Sequence, residues 1–302
     1  MNPHEQIFHF QGMHLAQTVA FVGLGMMGRP MAGHLLRAGF GVRAADSSVQ
    51  ILNAFCKDHP GAVRCATVVE AAQGAHIVLT MLPNGAIVRE VALGAGLRSG
   101  QLLLDMSSSA PMGTRGLGEE LARKGVAMVD APVSGGVAKA KTAQLAIMAG
   151  GAAEHVDRAR PVLEKLGATI IPTGPLGSGH AMKALNNYVS AAGLAAAAEA
   201  LLVARAFGLD PAVMTDVLNA STGRNNSTEN KLKQHVLSGS FGAGFAMELM
   251  AKDLATALEL AHGVEVPVPL AEKCVGLWAE AAKRLPGADH TAIFSYLERL
   301  KA

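Results

Sequence analysis

The chain has 302 residues, half of them apolar and 17% charged, with 26 basic and 24 acidic side chains for a formal net charge of +2. That composition excludes a disordered chain, and the length exceeds what one core readily uses, so two domains are expected. Near-neutral charge without a long basic run argues against both a nucleic-acid groove and a membrane-surface patch, which leaves small-molecule chemistry.

Residues 1–17, MNPHEQIFHFQGMHLAQ, have no basic segment followed by an apolar one and read as an N-terminal tail, not a secretory signal. From Thr18 the sequence TVAFVGLGMMGRPMAGHLLRAGFGVRAAD predicts a strand, a glycine-rich turn, a helix and a second strand ending at Asp46. Strand-like runs recur at residues 76–82, 102–106 and 126–133, each preceded by helical spacing of apolar residues. Strands separated by helices need crossovers, and crossovers predict a parallel sheet covered on both faces.

After about residue 180 the β-branched runs vanish and alanine, leucine and methionine recur at helical spacing, which predicts an all-helical second half. Its first helix is expected to start near Gly179 and to run for about 28 residues, or about 42 Å, long enough to join two domains. Gly208 would stop it, and Asp210-Pro211 would cap and open the next. The apolar stretch 189–207 is interrupted by Glu199 and Arg205 and is alanine-rich, which suits a buried helix better than a membrane span. Cys56, Cys65 and Cys274 are odd in number and lack CxxC spacing, so they point to idle thiols in a reducing compartment, with no disulfide framework and no metal site. A cytoplasmic protein is expected.

Gly23-Leu24-Gly25-Met26-Met27-Gly28 matches G-x-G-x-x-G between a predicted strand and a predicted helix, the arrangement that sets backbone N–H groups and a helix N-terminus against a pyrophosphate. Gly23 would make the tight turn, Gly25 would admit the diphosphate, and Gly28 would let helix and strand pack closely. Asp46 follows about 18 residues later, where an acid binds the adenosine ribose hydroxyls and repels a 2′-phosphate, so NAD is preferred over NADP. Asp46 could equally N-cap the helix that begins at Ser47, and Arg43, Ser47 and Ser48 could accept a phosphate if Asp46 points away.

Farther along, Asp130-Ala-Pro-Val-Ser134-Gly135-Gly136 ends a strand in a serine and two glycines, whose N–H groups would form a donor nest suited to a carboxylate; a plain turn is the alternative. Lys183 and Asn187 lie one turn apart on one helix face, so a partly desolvated ammonium could exchange a proton beside an amide. On spacing alone, a solvated surface lysine is the favoured reading. His180 reads as a packing residue.

Taken in order, these blocks, with MLP at 81–83, GSGHAMKALNN at 177–187 and KDLATAL at 252–258, resemble the β-hydroxyacid dehydrogenase family, which includes 3-hydroxyisobutyrate dehydrogenases and tartronate semialdehyde reductases. The resemblance runs from Val19 to about Leu300. It implies a Rossmann-type α/β NAD(P)-binding domain (18–178), an all-α C-terminal domain (179–302), a long helix joining them and a 6-phosphogluconate dehydrogenase-like layout.

It further implies Lys183 as the catalytic lysine, with Asn187, Ser107, Ser134, Gly135 and Gly136 binding substrate. Leu82, Pro83, Ser108 and Lys252 would line the dinucleotide, and Asp253 would orient Lys252 or Lys183. The implied activity is reversible hydride transfer between a small hydroxyacid and its semialdehyde or oxo acid, in a homodimer or homotetramer. An aldehyde or imine reductase on the same scaffold, and a dinucleotide-binding interaction protein without catalysis, are the competing readings.

Two positions depart from the family pattern: His34 stands for an asparagine, and Ala143 for a glycine after the Ser134 loop. The segment 221–230, STGRNNSTEN, is polar where some relatives carry an aromatic residue, which hints at a polar substrate tail.

Overall fold

In the computed structural model, which describes residues 17–300, the apolar run at Thr18 forms β1 (Thr18–Val22), with Val19, Ala20 and Phe21 completely buried. The expected N-terminal tail therefore falls, apart from Gln17, outside the described residues. Alternation then continues through α1 (Gly28–Arg37), β2 (Gly41–Ala45), α2 (Val49–Asp58), β3 (Val63–Arg64), α3 (Val68–Ala72), β4 (Ile77–Thr80), α4 (Gly85–Gly94), β5 (Leu102–Asp105), α5 (Pro111–Ala122) and β6 (Ala127–Asp130). These six strands lie in the order β3-β2-β1-β4-β5-β6, all parallel, as the crossover argument requires. β4 and β5 are buried on both faces, which is why they read as continuous apolar runs.

Beyond β6 the structure departs from a purely parallel sheet. The run at 126–133 divides at Ala131-Pro132, since proline offers no N–H to a ladder, and yields a separate β7 (Val133–Ser134). A short helix α6 (Gly136–Lys141) leads into β8 (Leu145–Gly150), which pairs antiparallel with both β6 and β7. The connection from β7 is too short for the crossover that a parallel neighbour would need. α7 (Ala153–Leu163) then carries the chain to β9 (Gly167–Gly174), parallel to β8, completing nine strands.

The second half opens with α8 (Ser178–Phe207), followed by α9 (Pro211–Ala220), α10 (Asn226–Asn230), a π-helix (Leu232–Leu237), α11 (Met247–Gly263), α12 (Pro269–Arg284), a 3-10 turn (His290–Ala292) and α13 (Ile293–Arg299). The molecule is thus a Rossmann-type sheet followed by an all-helical unit, joined by the 30-residue α8. α8 ends as expected: Gly208 takes φ 94°, and the Gly208 and Leu209 N–H groups close on the carbonyls of Arg205 and Ala204. Asp210 caps α9 through the N–H groups of Ala212 and Val213. α8 is long and apolar enough to cross a membrane, yet its Leu194, Ala198 and Leu201 are completely buried against Trp278, Leu254 and Ile293 in the helical core.

Candidate active site

The glycine turn after β1 is held by its own backbone. Gly23 has φ 98°, and a Cβ there would lie 2.3 Å from the Met81 carbonyl oxygen. A Cβ on Gly28 would lie 1.9 Å from the Gly23 carbonyl oxygen, so both glycines are demanded by packing. Gly25 differs, because a Cβ there would meet no protein atom within 4 Å. Its freedom suits the close approach of a diphosphate, and α1 offers an N-terminus with neither a side-chain cap nor an acidic first turn. Met26, at the tip, is exposed, whereas Leu24 is buried.

Asp46 reaches back to this turn: Oδ2 accepts from the Leu24 N–H at 2.7 Å and Oδ1 from the Ser48 N–H at 2.8 Å. The helix cap, the alternative role for Asp46, belongs to Ser48, whose hydroxyl accepts from the Ile51 N–H. Asp46 keeps free lone pairs for ribose hydroxyls. Arg43 is occupied elsewhere, donating to the carbonyls of Glu70 (2.8 Å) and Ala71 (3.1 Å).

At the ends of β4 and β5 the loops are stitched together. The Ser107 hydroxyl accepts from the Leu82 N–H at 2.9 Å, and the residue is 1% exposed, so it braces the Leu82-Pro83 turn from behind and does not open toward a substrate as the family resemblance implies. Lys252, on α11, donates to the Ser108 carbonyl at 2.9 Å and the Pro83 carbonyl at 3.5 Å. One ammonium thus ties the helical unit to both loops. A cavity of about 330 Å³ opens beside it, lined in part by Asn84, Ser108, Thr114 and Thr256; neither Lys183 nor the Ser134 loop lines it.

In the Ser134 loop, Gly135 and Gly136 have φ 124° and 64°, backbone conformations that glycine adopts at little cost. α6 follows at once and is tied to the nucleotide helix by His34, whose Nε2 lies 3.1 Å from the carbonyl oxygens of Ala140 and Lys141 while Nδ1 accepts from Arg37. Ala143, the other departure, sits at φ 55°, so an alanine is held in the left-handed region that favours glycine.

Lys183 stands on the second turn of α8, within electrostatic reach of Asp253 and Lys252. Two devices fix that turn. Asp130, at the end of β6 and completely buried, accepts from the Gly177 N–H (2.7 Å) and the His180 N–H (2.8 Å), acting as a cap supplied from the sheet. Gly179 lies so near β8 that a Cβ would be 2.2 Å from the Met148 carbonyl oxygen. His180 is buried, as expected of a packing residue, with Nδ1 2.8 Å from the Thr114 hydroxyl and Nε2 3.2 Å from the Ser107 carbonyl.

Burial lowers the pKa of the Lys183 ammonium below the ordinary lysine range; the Asp253 carboxylate opposes that shift and the Lys252 ammonium adds to it. Asp253 is itself buried, and its oxygens accept from Ser108 Oγ at 2.7 Å and Asn187 Nδ2 at 2.5 Å, with Lys252 Nζ at 3.4 Å. One carboxylate therefore joins a sheet-edge loop, the amide one turn beyond Lys183, and the lysine of α11. Asp130 and His180 lie in motifs visible in the sequence, but an acid that caps a distant helix leaves no local signal, and spacing could not reveal its role.

The chain matches two family models: the NAD binding domain of 6-phosphogluconate dehydrogenase over residues 18–174, and the NAD-binding unit of NADP-dependent 3-hydroxyisobutyrate dehydrogenase over 177–297. It is 37% identical to 3-hydroxyisobutyrate dehydrogenase of Pseudomonas aeruginosa, across 91% of this chain and 96% of that one. Identity to 2-(hydroxymethyl)glutarate dehydrogenase of Eubacterium barkeri is 35%, across 95% and 97%. A solved structure of Mycobacterium tuberculosis 3-hydroxyisobutyrate dehydrogenase with L-serine superposes with a TM-score of 0.88 at 33% identity, covering 94% of this chain and 99% of the other. With its Rossmann-type sheet, linking helix and lysine-bearing cleft, the chain belongs to the β-hydroxyacid dehydrogenase family of NAD(P)-dependent oxidoreductases.

Proposed function

We propose that the protein interconverts a small β-hydroxyacid and its semialdehyde, as a 3-hydroxyisobutyrate dehydrogenase does, with Lys183 as general acid and base. The observation that carries the reading is geometric: Lys183 stands one helical turn before Asn187, whose amide is anchored on the buried Asp253 carboxylate, and burial moves the lysine pKa in the direction a base needs. When bound, the nicotinamide supplies the hydride acceptor or donor. Ser134, Gly135 and Gly136 hold the carboxylate through N–H and hydroxyl donors, and Asn187, anchored on Asp253, steers the reacting oxygen. Lys183 takes the hydroxyl proton in oxidation and returns it in reduction. Leu82, Pro83, Ser108 and Lys252 form the wall of the nucleotide site, and the turn from Gly23 to Gly28 receives the diphosphate.

NAD is the preferred cofactor in this reading: Asp46 faces the turn, and Arg43, an alternative partner for a 2′-phosphate, is engaged by two carbonyls. The unpaired state of the three cysteines supports a cytoplasmic location. Met182, Leu185, Val189, Val203 and Phe207 make an exposed apolar stripe along α8, which supports a homodimer or homotetramer formed through that face. A spectrophotometric panel of β-hydroxyacids with NAD and with NADP tests the reading. Lys183→Ala should lower turnover by about 10²-fold or more, and near-normal turnover in that variant would remove Lys183 from the chemistry.

A further inference from the structure

Lys183, Asn187 and Ser190 stand at i, i+4 and i+7 on α8 and share one face. At the far end of that face lies a second, partly buried lysine, Lys231, whose Nζ donates to Ser190 Oγ at 3.3 Å. Burial pushes its pKa down, with the Asp289 carboxylate opposing. Asp289 is committed elsewhere, accepting from the N–H groups of Gly244 (2.7 Å) and Phe245 (3.0 Å) and from Thr291. That loop in turn reaches the carboxylate nest, since a Cβ on Gly136 would lie 4.0 Å from the Gly244 carbonyl oxygen.

Lys231 therefore sits at the end of the α8 face that carries Lys183, with three N–H donors, one long hydrogen bond and no carboxylate within ion-pair distance among the described residues. A desolvated ammonium so weakly matched is costly unless an anion completes it. Lys231 also marks where the helix widens: its carbonyl accepts from both His235 and Val236 at the start of the π-helix, a feature frequent at functional sites. The polar segment 221–230 ends one residue short of it.

We infer that Lys231 binds a second acidic group at the distal end of the substrate, so that the preferred β-hydroxyacid is a diacid. The inference rests on the proposed dehydrogenase reading of the cleft and deepens it. Seven residues of helix separate Lys183 from Ser190 by about 10 Å. Lys231 Nζ lies a further 3.3 Å from Ser190 Oγ. N···O contacts of about 2.8 Å at each end therefore leave up to about 8 Å between the hydroxyl oxygen and a distal carboxylate oxygen. That is the span of about six bonds of an extended chain, longer than the roughly four that reach a β-hydroxyacid's own carboxylate.

The test compares 3-hydroxypropanoate with 2-(hydroxymethyl)glutarate as substrates of wild type and of Lys231→Met, with Lys231→Gln as a second variant that retains a donor to Ser190. The ratio of kcat/KM for the diacid to that for the monoacid should fall at least about tenfold in Lys231→Met. An unchanged ratio, including an equal loss on both acids, overturns the inference. Binding of glutarate and of butyrate to the NADH-loaded protein, followed by thermal shift, separates this outcome from failure of the catalytic reading. A glutarate preference that Lys231→Met removes supports the inference even if neither hydroxyacid turns over, a result that would sink the dehydrogenase reading alone. Absence of the preference in wild type, or its survival in both variants, overturns the inference whatever the turnover.

Discussion

Two parts of the cleft are built on different principles. The turn from Gly23 to Gly28 and the loop from Ser134 to Gly136 are backbone features, shaped by positive φ angles and missing Cβ atoms. The cluster of Lys183, Asn187, Ser108, Lys252 and Asp253 works through side chains delivered by α8, α11 and the loop after β5, with the Ser108–Asp253 bond crossing 145 residues of sequence. Backbone sites need a local sequence and tolerate little bulk. Side-chain sites need an assembled fold and are tuned by charge.

The contrast can be broken most severely at the glycines. Gly28→Ala should cost about 3 kcal/mol, because its Cβ would overlap a carbonyl oxygen that no rotamer can move. It should also lose NADH binding. Gly25→Ala should leave stability within about 0.5 kcal/mol while raising the NADH dissociation constant by about tenfold. Chemical denaturation and fluorescence titration of the two variants read this, and equal stability losses would show that Gly25 is also a packing residue.

A smaller effect is expected where charge does the tuning. Asp253→Asn should lower kcat by about tenfold by weakening the anchor of Asn187. It should also shift the pH profile in a defined sense. The Asp253 charge raises the Lys183 pKa, so its removal lowers that pKa further, and oxidation, which needs the neutral amine, should begin at lower pH. A profile that stays in place or moves to higher pH contradicts electrostatic coupling between the two.

The smallest change sharpens the backbone side. Ala143 at φ 55° carries left-handed strain, partly offset by the lower entropy cost of ordering alanine, so Ala143→Gly should stabilise by about 0.5–1 kcal/mol. A denaturant midpoint that falls would mean that the methyl group packs usefully there.

Most of the sheet was legible because β-strand and helix periods are local, and the G-x-G-x-x-G turn was legible because its spacing and context are local as well. The division at Pro132 and the antiparallel β8 were not, since pairing direction depends on how far a short connection can reach. Among site residues, Lys183 could be placed beside Asn187 by helix spacing, yet spacing could not decide between an exposed ammonium and a desolvated one. Ser107 shows the converse: a serine at a substrate-like position spends its hydroxyl on the Leu82 backbone.

What sequence alone determined, then, is the strand and helix alternation around β1, β2, β4, β5 and β6, the glycines of the first turn that left-handed or crowded backbone requires, and the stop of α8 at Gly208, because each follows from steric rules acting over a few residues. Tertiary structure decided which charges meet. Asp130 caps a helix 47 residues away, Asp253 gathers partners from three elements, and Lys231 joins the face of Lys183 only when α10 folds back on α8. Electrostatic coupling depends on separation in space and on excluded water, and neither is written in the local order of residues.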